Sequence, residues 1–365
     1  MPAQVGDRVD AIETPALVVD LAPFERNLRT MADATSGTRL RPHAKSHKCT
    51  TIAKAQLALG AVGVCCQKTD EAAAFVAAGV RDVLVTNEIV APRKIARLAD
   101  LAVSATIGVL VDAYAPVATL SDAASRAGVV LDVYIEIDVG ARRCGVAPGP
   151  DAVSLAAAIQ RAAGLRLRGL QAYHGAAQHL RDPQARATAV AEAAAQARAT
   201  RDAIIGAGMR CDLVTGAGTG TWQHERDSGV YGELQPGSYV FMDADYGRNV
   251  AGANDLRFEQ SLFVVASVMS APERGRAIVD AGLKAFSFDS GLPVVHARTD
   301  VSYARASDEH GVLQSQAPTS LALGERVWLI PGHCDPTVNL YDWIVAVRDG
   351  VVAAVWPVEA RGALG

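Results

Sequence analysis

Apolar residues arrive along this chain in short runs, and the runs alternate with longer alanine-rich stretches whose apolar positions recur at helical spacing. Strand-like runs fall at 39–43, 62–66, 83–87, 106–111, 131–137, 167–173 and 212–215, with a weaker one within 230–240. Between them lie helical segments such as "TDEAAAFVAAG", ended by Gly79, and the long "DPQARATAVAEAAAQARATRDAIIGAG". Strand and helix in regular alternation build parallel βα units. About eight such units predict an α/β fold with a (β/α)8 TIM-type barrel, an open doubly wound sheet being the alternative.

From about residue 255 the texture changes. "SLFVVASVMSAP", "RGRAIVDAG", "ERVWLIPGHCD" and "WIVAVRDGVVAAVWPV" are strand-like and separated by turns, without long helices, and predict a mostly antiparallel β domain. "TPALVVDL" near the N-terminus is also a strand, placed before the first barrel helix and able to join the C-terminal sheet. The expected division is therefore 21–250 for the barrel and 1–20 plus 251–365 for the β domain. There is no internal repeat and no low-complexity linker.

Composition narrows the classes. Half of the 365 residues are apolar and a fifth are charged, enough for a sizeable buried core. The formal net charge of −4 argues against binding to nucleic-acid backbones. The first residues lack the pattern of a signal peptide, and no uncharged apolar run approaches the ~18 residues of a membrane span. Cysteines 49, 65, 66, 144, 211 and 334 form neither a CxxC nor a regular framework. Reduced thiols in a cytoplasmic protein are the expectation.

Against that acidic background, "RPHAKSHK" (41–48) concentrates Arg41, His43, Lys45, His47 and Lys48. It ends the first barrel strand, and barrels gather their chemistry at strand C-termini. In an extended chain residues 43, 45 and 47 share a face, placing two imidazoles around the Lys45 amine. Like charge and partial burial would lower its pKa and ready it to form a Schiff base with a carbonyl. The plain alternative is a solvated basic loop.

Other segments carry candidate chemistry. "VTGAGTGTW" (214–222) and "QPGSY" (235–239) are glycine-rich turns after the seventh and eighth strands, where barrels often bind phosphate. "EIDVGARRCGV" (136–146) ends a strand with two carboxylates and two arginines, and "QAYHGAAQH" (171–179) ends the next with Tyr173, His174 and His179. In "PGHCDPTVNLYD" (331–342) an extended backbone would point His333 and Asp335 one way and Cys334 the other. Such an imidazole–carboxylate pair can hold a divalent ion, and a polar turn closed by Pro336 is the alternative.

Taken with "ELQPGSYVFMD" and "VDAGLKAFSFDSG", these segments resemble the fold-type III, alanine racemase-like pyridoxal-phosphate enzymes. They look like the branch of D-threonine aldolase, 3-hydroxy-D-aspartate aldolase and metal-dependent D-serine dehydratase, the wording of "HCDPTVNLYDW" being nearest to the 3-hydroxy-D-aspartate aldolases. The resemblance runs from "TPALVVD" to the C-terminus. It implies Lys45 as the Schiff-base lysine, Arg143 at the cofactor's phenolic oxygen, Tyr173 and His174 beside the ring, and Gln67 among the cofactor-binding residues. It implies Thr221, Gly237, Ser238 and Tyr239 at the phosphate, His179 with Tyr173 in catalysis, and His333 and Asp335 on a metal carried by the β domain. A carboxylate where the dehydratases carry His-x-Cys favours manganese, magnesium or cobalt over zinc.

The implied activity is retro-aldol cleavage of small D-3-hydroxy amino acids by a cytoplasmic homodimer that binds neither nucleic acid nor membrane. Dehydration of D-threo-3-hydroxyaspartate or D-serine on the same scaffold is the main rival. A non-enzymatic pyridoxal-phosphate-binding protein is the other.

Overall fold

The computed structural model describes residues 1–315 and 321–365. Strand β1 (Ala16–Asp20) feeds directly into helix α1 (Leu21–Ala34), whose N-terminus is capped by the Asp20 carboxylate accepting the Ala22 N–H at 3.0 Å. Eight parallel strands follow: β2 (Arg39–Leu40), β3 (Val64–Cys66), β4 (Asp82–Glu88), β5 (Thr106–Val111), β6 (Leu131–Glu136), β7 (Leu165–Ala172), β8 (Leu213–Gly216) and β9 (Glu233–Leu234). Between successive strands run α2 (Thr50–Ala58), α3 (Thr69–Ala77), α4 (Pro92–Leu101), α5 (Tyr114–Ala127), α6 (Pro150–Arg161), α7 (Pro183–Gly206) and α8 (Trp222–Asp227). Three of these helices open on a proline, whose missing N–H costs nothing in a first turn.

The strands are bonded in the order β2-β9-β8-β7-β6-β5-β4-β3. The two ends of that order meet where Val62 N–H reaches the Leu40 carbonyl at 2.9 Å and Cys65 N–H reaches the Pro42 carbonyl at 2.8 Å. The result is the TIM-type barrel that the alternation predicts. Its first and last strands are shorter than expected, two residues each rather than 39–43 and part of 230–240. Pro42 and Pro236 have no N–H to extend the ladder, and after each the chain tightens into a 3₁₀ turn, Ala44–Ser46 and Ser238–Val240.

Inside the barrel, Cys65, Leu84, Leu110, Tyr134 and Leu213 form a small apolar cluster, while the adjacent Cys66 faces the main core. All six cysteines are free thiols. A buried polar network shares this interior. Arg41 donates to Glu233 at 2.9 Å and to Asp82 at 2.7 Å. Thr215 donates to Glu233 at 3.0 Å, and Gln235 donates to Thr215 at 2.7 Å and to Gln171 at 2.9 Å. The network ends at Gln171 and Gln235, on the floor of the barrel mouth.

After β9 come the single turn α9 (Ala244–Gly247) and a second sheet of β10 (Leu262–Glu273), β11 (Arg276–Val279), β12 (Val294–Val295), β13 (Val301–Ala306), β14 (Gly311–Ser315), β15 (Arg326–Ile330), β16 (Trp343–Arg348) and β17 (Val351–Pro357), with α10 (Cys334–Val338) between the fifteenth and sixteenth. Its main order is β13-β14-β11-β10-β1-β16-β17, with β15 on β10 and β12 on β15. The N-terminal strand β1 sits in its middle, antiparallel to β10 and parallel to β16; every other described pairing here is antiparallel. Phe24 of α1 packs against Phe241 and Trp356, ring centroids 6.4 and 5.8 Å away, and so ties the two sheets together. This docking brings α10 against the turn that carries Lys45. No described helix is long and apolar enough to cross a membrane.

Candidate active site

A cavity of about 110 Å³ lies at the C-terminal ends of the barrel strands, lined by His43, Lys45, Gln67, Thr86, Arg143, Gln171, Tyr173, Ala217, Gly218, Thr219, Gln235, Gly237, Ser238 and Tyr246. Lys45 projects from the 3₁₀ turn after β2, and its ammonium pairs with the Asp335 carboxylate from α10. This corrects two expectations. Residues 43–47 are not extended, so the two histidines do not flank the amine. His43 is in the wall, its Nε2 2.9 Å from the Thr86 hydroxyl. His47 turns into the core against Phe75, its Nδ1 accepting the Cys49 N–H at 3.1 Å. Nor is the amine's pKa lowered: burial pulls it down, but Asp335 with Tyr173 and Cys334 together outweigh burial and hold it above the usual lysine range. Burial, reinforced by Lys45, keeps His43 neutral, well below the usual imidazole value.

Arg143 lies over the Tyr173 ring at 5.7 Å and 3.6 Å from the Glu136 carboxylate. Burial, with Glu88 close by, raises the Glu136 carboxyl to about 8. Asp138 has a local task, accepting the N–H groups of Gly140 and Arg142 at 3.0 Å. Gln67 reaches both Thr86 and His43 at 3.1 Å.

His174 is not in the cavity wall. Its ring packs on Gly140, where a Cβ would come within 2.7 Å of Nε2. That contact, with a φ of +123°, is why residue 140 is glycine. His179 ends a 3₁₀ turn (Gly175–His179), stacks 5.6 Å from Tyr246, and holds the Asp245 carboxylate through Nδ1 at 2.5 Å. Burial would raise the Asp245 carboxyl, but Arg248, Arg181 and His179 together outweigh it and hold it below the ordinary range.

The glycine-rich rim differs from the expectation in detail. The Thr221 hydroxyl donates to Glu225 at 2.7 Å and accepts from Gln178 at 2.7 Å, outside the cavity. Thr219 is the threonine in the wall, and its buried hydroxyl oxygen has no partner. Gly237 packs on the His43 carbonyl, which a Cβ would approach to 2.7 Å. Ser238 donates to Asp335 at 3.2 Å. The Tyr239 side chain is in the core, its hydroxyl accepting from Gln56 at 3.1 Å, so only its backbone is near the rim.

The segment 333–335 is not extended either. His333 caps α10, and the helix begins at Cys334. Cys334 is fully buried and points toward Asp335 rather than away, its Sγ 3.3 Å from Oδ1. His333 is held through Nδ1 by Asp289 at 2.7 Å.

A closed parallel barrel with an amine at its mouth, leaned over by a β domain that borrows the N-terminal strand, is the alanine racemase architecture. Residues 19–245 match the family "Alanine racemase, N-terminal domain" and residues 261–347 match "Putative serine dehydratase domain". The chain is 47% identical to a D-threonine aldolase of Arthrobacter sp., over 99% of this chain and 96% of that one. It is also 47% identical to a 3-hydroxy-D-aspartate aldolase of Paracoccus denitrificans, over 99% and 95%. The crystal structure of D-threonine aldolase from Filomicrobium marinum superposes over the full length of both chains with a TM-score of 0.99 at 49% identity. A D-threo-3-hydroxyaspartate dehydratase of Delftia sp. is more distant, at 32% identity. The chain belongs to the alanine racemase-like family of pyridoxal-phosphate enzymes, within its D-threonine and 3-hydroxy-D-aspartate aldolase group, and is a lyase.

The residues present fit the cofactor. An amine stands at one end of the cavity, and the unpartnered Thr219 hydroxyl and the closely packed Gly237 stand on its rim. For a metal the donor set is smaller: no three His, Cys, Asp or Glu side chains cluster among the described residues. His333 fits nonetheless, because Asp289 occupies its Nδ1 and leaves Nε2 as the ligand atom, the usual arrangement of a metal-binding imidazole. Sequence reasoning missed Thr86, Gln171, Thr219, Gln235, Tyr246, Asp245 and Asp289. Gln171 was within reach, sharing a strand face with Tyr173; the two aspartates act across long stretches of chain and leave no local signal.

Proposed function

We propose that this chain cleaves D-3-hydroxy amino acids by retro-aldol chemistry, 3-hydroxy-D-aspartate to glycine and glyoxylate and D-threonine to glycine and acetaldehyde. The observation that carries the reading is the meeting of the Lys45 amine with the Asp335 carboxylate at a cavity bordered by Tyr246, against which His179 is stacked and held by Asp245. Pyridoxal phosphate, when bound, supplies the electron sink that takes up the pair left at Cα. A divalent ion held by His333 and Asp335, manganese, magnesium or cobalt on the hardness of the carboxylate, would acidify the β-hydroxyl.

The protein's own groups do the rest. Lys45 provides the amine that anchors the cofactor. Gly237, Ser238 and Thr219 would hold its phosphate, and Arg143, braced over Tyr173, would serve its phenolic oxygen. His179 accepts the proton of the β-hydroxyl through Nε2, because Nδ1 is committed to Asp245. The Cα–Cβ bond then breaks, the carbonyl product leaves, and Cα takes a proton to give glycine. Two places after His333 this chain carries the carboxylate of Asp335, where the dehydratases it resembles carry the cysteine of a His-x-Cys pair. The test is product analysis with the manganese-loaded holoenzyme, D-threonine and both D-3-hydroxyaspartate diastereomers. Glycine with the matching aldehyde is expected; ammonia with a 2-oxo acid would sink the aldolase reading.

A further inference from the structure

Two arginines beside His179 take no part in the chemistry above. Arg181 and Arg248 both donate to the Asp245 carboxylate that orients His179, Arg248 at 2.5 Å through Nη2. Arg181 also donates to the Asp245 carbonyl at 2.7 Å and the Asn249 side chain at 2.6 Å. One negative charge thus faces two guanidinium charges, an excess that structural pairing does not require. Both side chains reach water, 39% and 47% exposed. Among the described residues, Nε and Nη1 of Arg248 have no hydrogen-bond partner.

Position gives this excess charge a use. The same Nη2 of Arg248 donates to the Ser290 carbonyl at 2.7 Å. Ser290 follows Asp289, which holds His333. Arg248 therefore stretches from the support of one imidazole to the support of the other. Those imidazoles are the groups that the aldolase reading assigns to the substrate's β-hydroxyl, and Arg248 lies two residues past Tyr246 of the cavity wall.

We infer that Arg248, backed by Arg181, is a subsite for a carboxylate on Cβ, so that the site is built for 3-hydroxy dicarboxylic D-amino acids over D-threonine. The inference rests on the aldolase reading for its geometry. A guanidinium's planar fork matches a carboxylate and gives nothing comparable to a methyl group. The positive pair also draws in an anionic side of the substrate that an apolar wall would exclude.

Binding of substrate analogues without a β-hydroxyl tests this apart from cleavage. D-Aspartate and D-asparagine have the same shape and differ in the distal charge. Titrated into the holoenzyme and read from the cofactor's absorption band, D-aspartate should bind about tenfold or more tightly than D-asparagine, as for a charge-assisted hydrogen bond. Arg248→Gln should bring the two dissociation constants together, and the kcat/KM ratio of D-3-hydroxyaspartate to D-threonine should fall by a similar factor. Arg181→Gln should lower both preferences by less. Equal affinity for the two analogues in the wild-type protein overturns the subsite without any variant, as does an Arg248→Gln protein that keeps the preference. If D-aspartate is preferred but neither hydroxy amino acid is cleaved, the aldolase reading fails and the subsite stands.

Discussion

Replacing two threonines two residues apart should have opposite consequences, because the fold uses their hydroxyls differently. Thr219 is 8% exposed, and its hydroxyl has no partner. No protein group depends on that hydroxyl, so Thr219→Val keeps the shape and the cofactor-free protein should hold its stability to within about 1 kcal/mol. The same change deletes the donor proposed for the phosphate, and a hydrogen bond to a charged group is worth about 1.5–3 kcal/mol, roughly 10- to 100-fold in pyridoxal-phosphate affinity.

Thr221 is the mirror case. Its hydroxyl satisfies Glu225 and Gln178 at once, both at 2.7 Å and both buried. Thr221→Val strands two polar groups, about 2–6 kcal/mol in all. For 365 residues an unfolding entropy of about 2.1 cal/mol/K per residue converts this to a fall of roughly 3–8 °C in Tm. Cofactor affinity should stay within about threefold of wild type. Calorimetry on the cofactor-free variants and titration of each with pyridoxal phosphate read both quantities. A loss of stability in Thr219→Val, or a loss of cofactor affinity confined to Thr221→Val, would refute the assignment.

Two further outcomes follow from the same neighbourhood and from α10. Burial raises the Glu225 carboxyl from 4.5 to about 7; a carboxyl raised on folding adds stability that is complete below about pH 4.5 and is lost as pH climbs through 7. Glu225→Gln should therefore flatten the decline in unfolding free energy between pH 4.5 and 8 by roughly 3 kcal/mol, and an unchanged slope in denaturant titrations would count against a buried protonated Glu225. At the proposed metal pair, Asp335→Ala should lose bound manganese by elemental analysis while Cys334→Ala retains it. Metal lost from the cysteine variant would mean a thiolate ligand and a site of the dehydratase kind.

By itself the sequence determined the architecture and several of the groups that line the cavity. Strands β4 to β8 lie within about two residues of the apolar runs that predict them, because a barrel strand is buried on both faces and must be apolar along its length. The stops of α3 at Gly79 and the starts of three helices on proline are equally local, set by backbone conformations that few residues adopt. Lys45, Arg143, Tyr173, Gly237, Ser238 and Gln67 line one cavity because the ends of barrel strands converge whatever lies between them.

What only the tertiary structure decided is direction and partnership. Pro42 ends the ladder, and the following 3₁₀ turn sends His47 into the core, which no alternation rule for an extended chain could anticipate. Thr219 rather than Thr221 faces the cavity because Gln178 and Glu225, distant or turned inward, claim the second hydroxyl. The Lys45 ammonium is stabilised rather than destabilised because Asp335, 290 residues further along the chain, is carried to it by a sheet whose central strand is the N-terminal one. Periodicity records which face of an element is buried; it does not record which charge from another element will meet it there, and that meeting sets the electrostatics of the site.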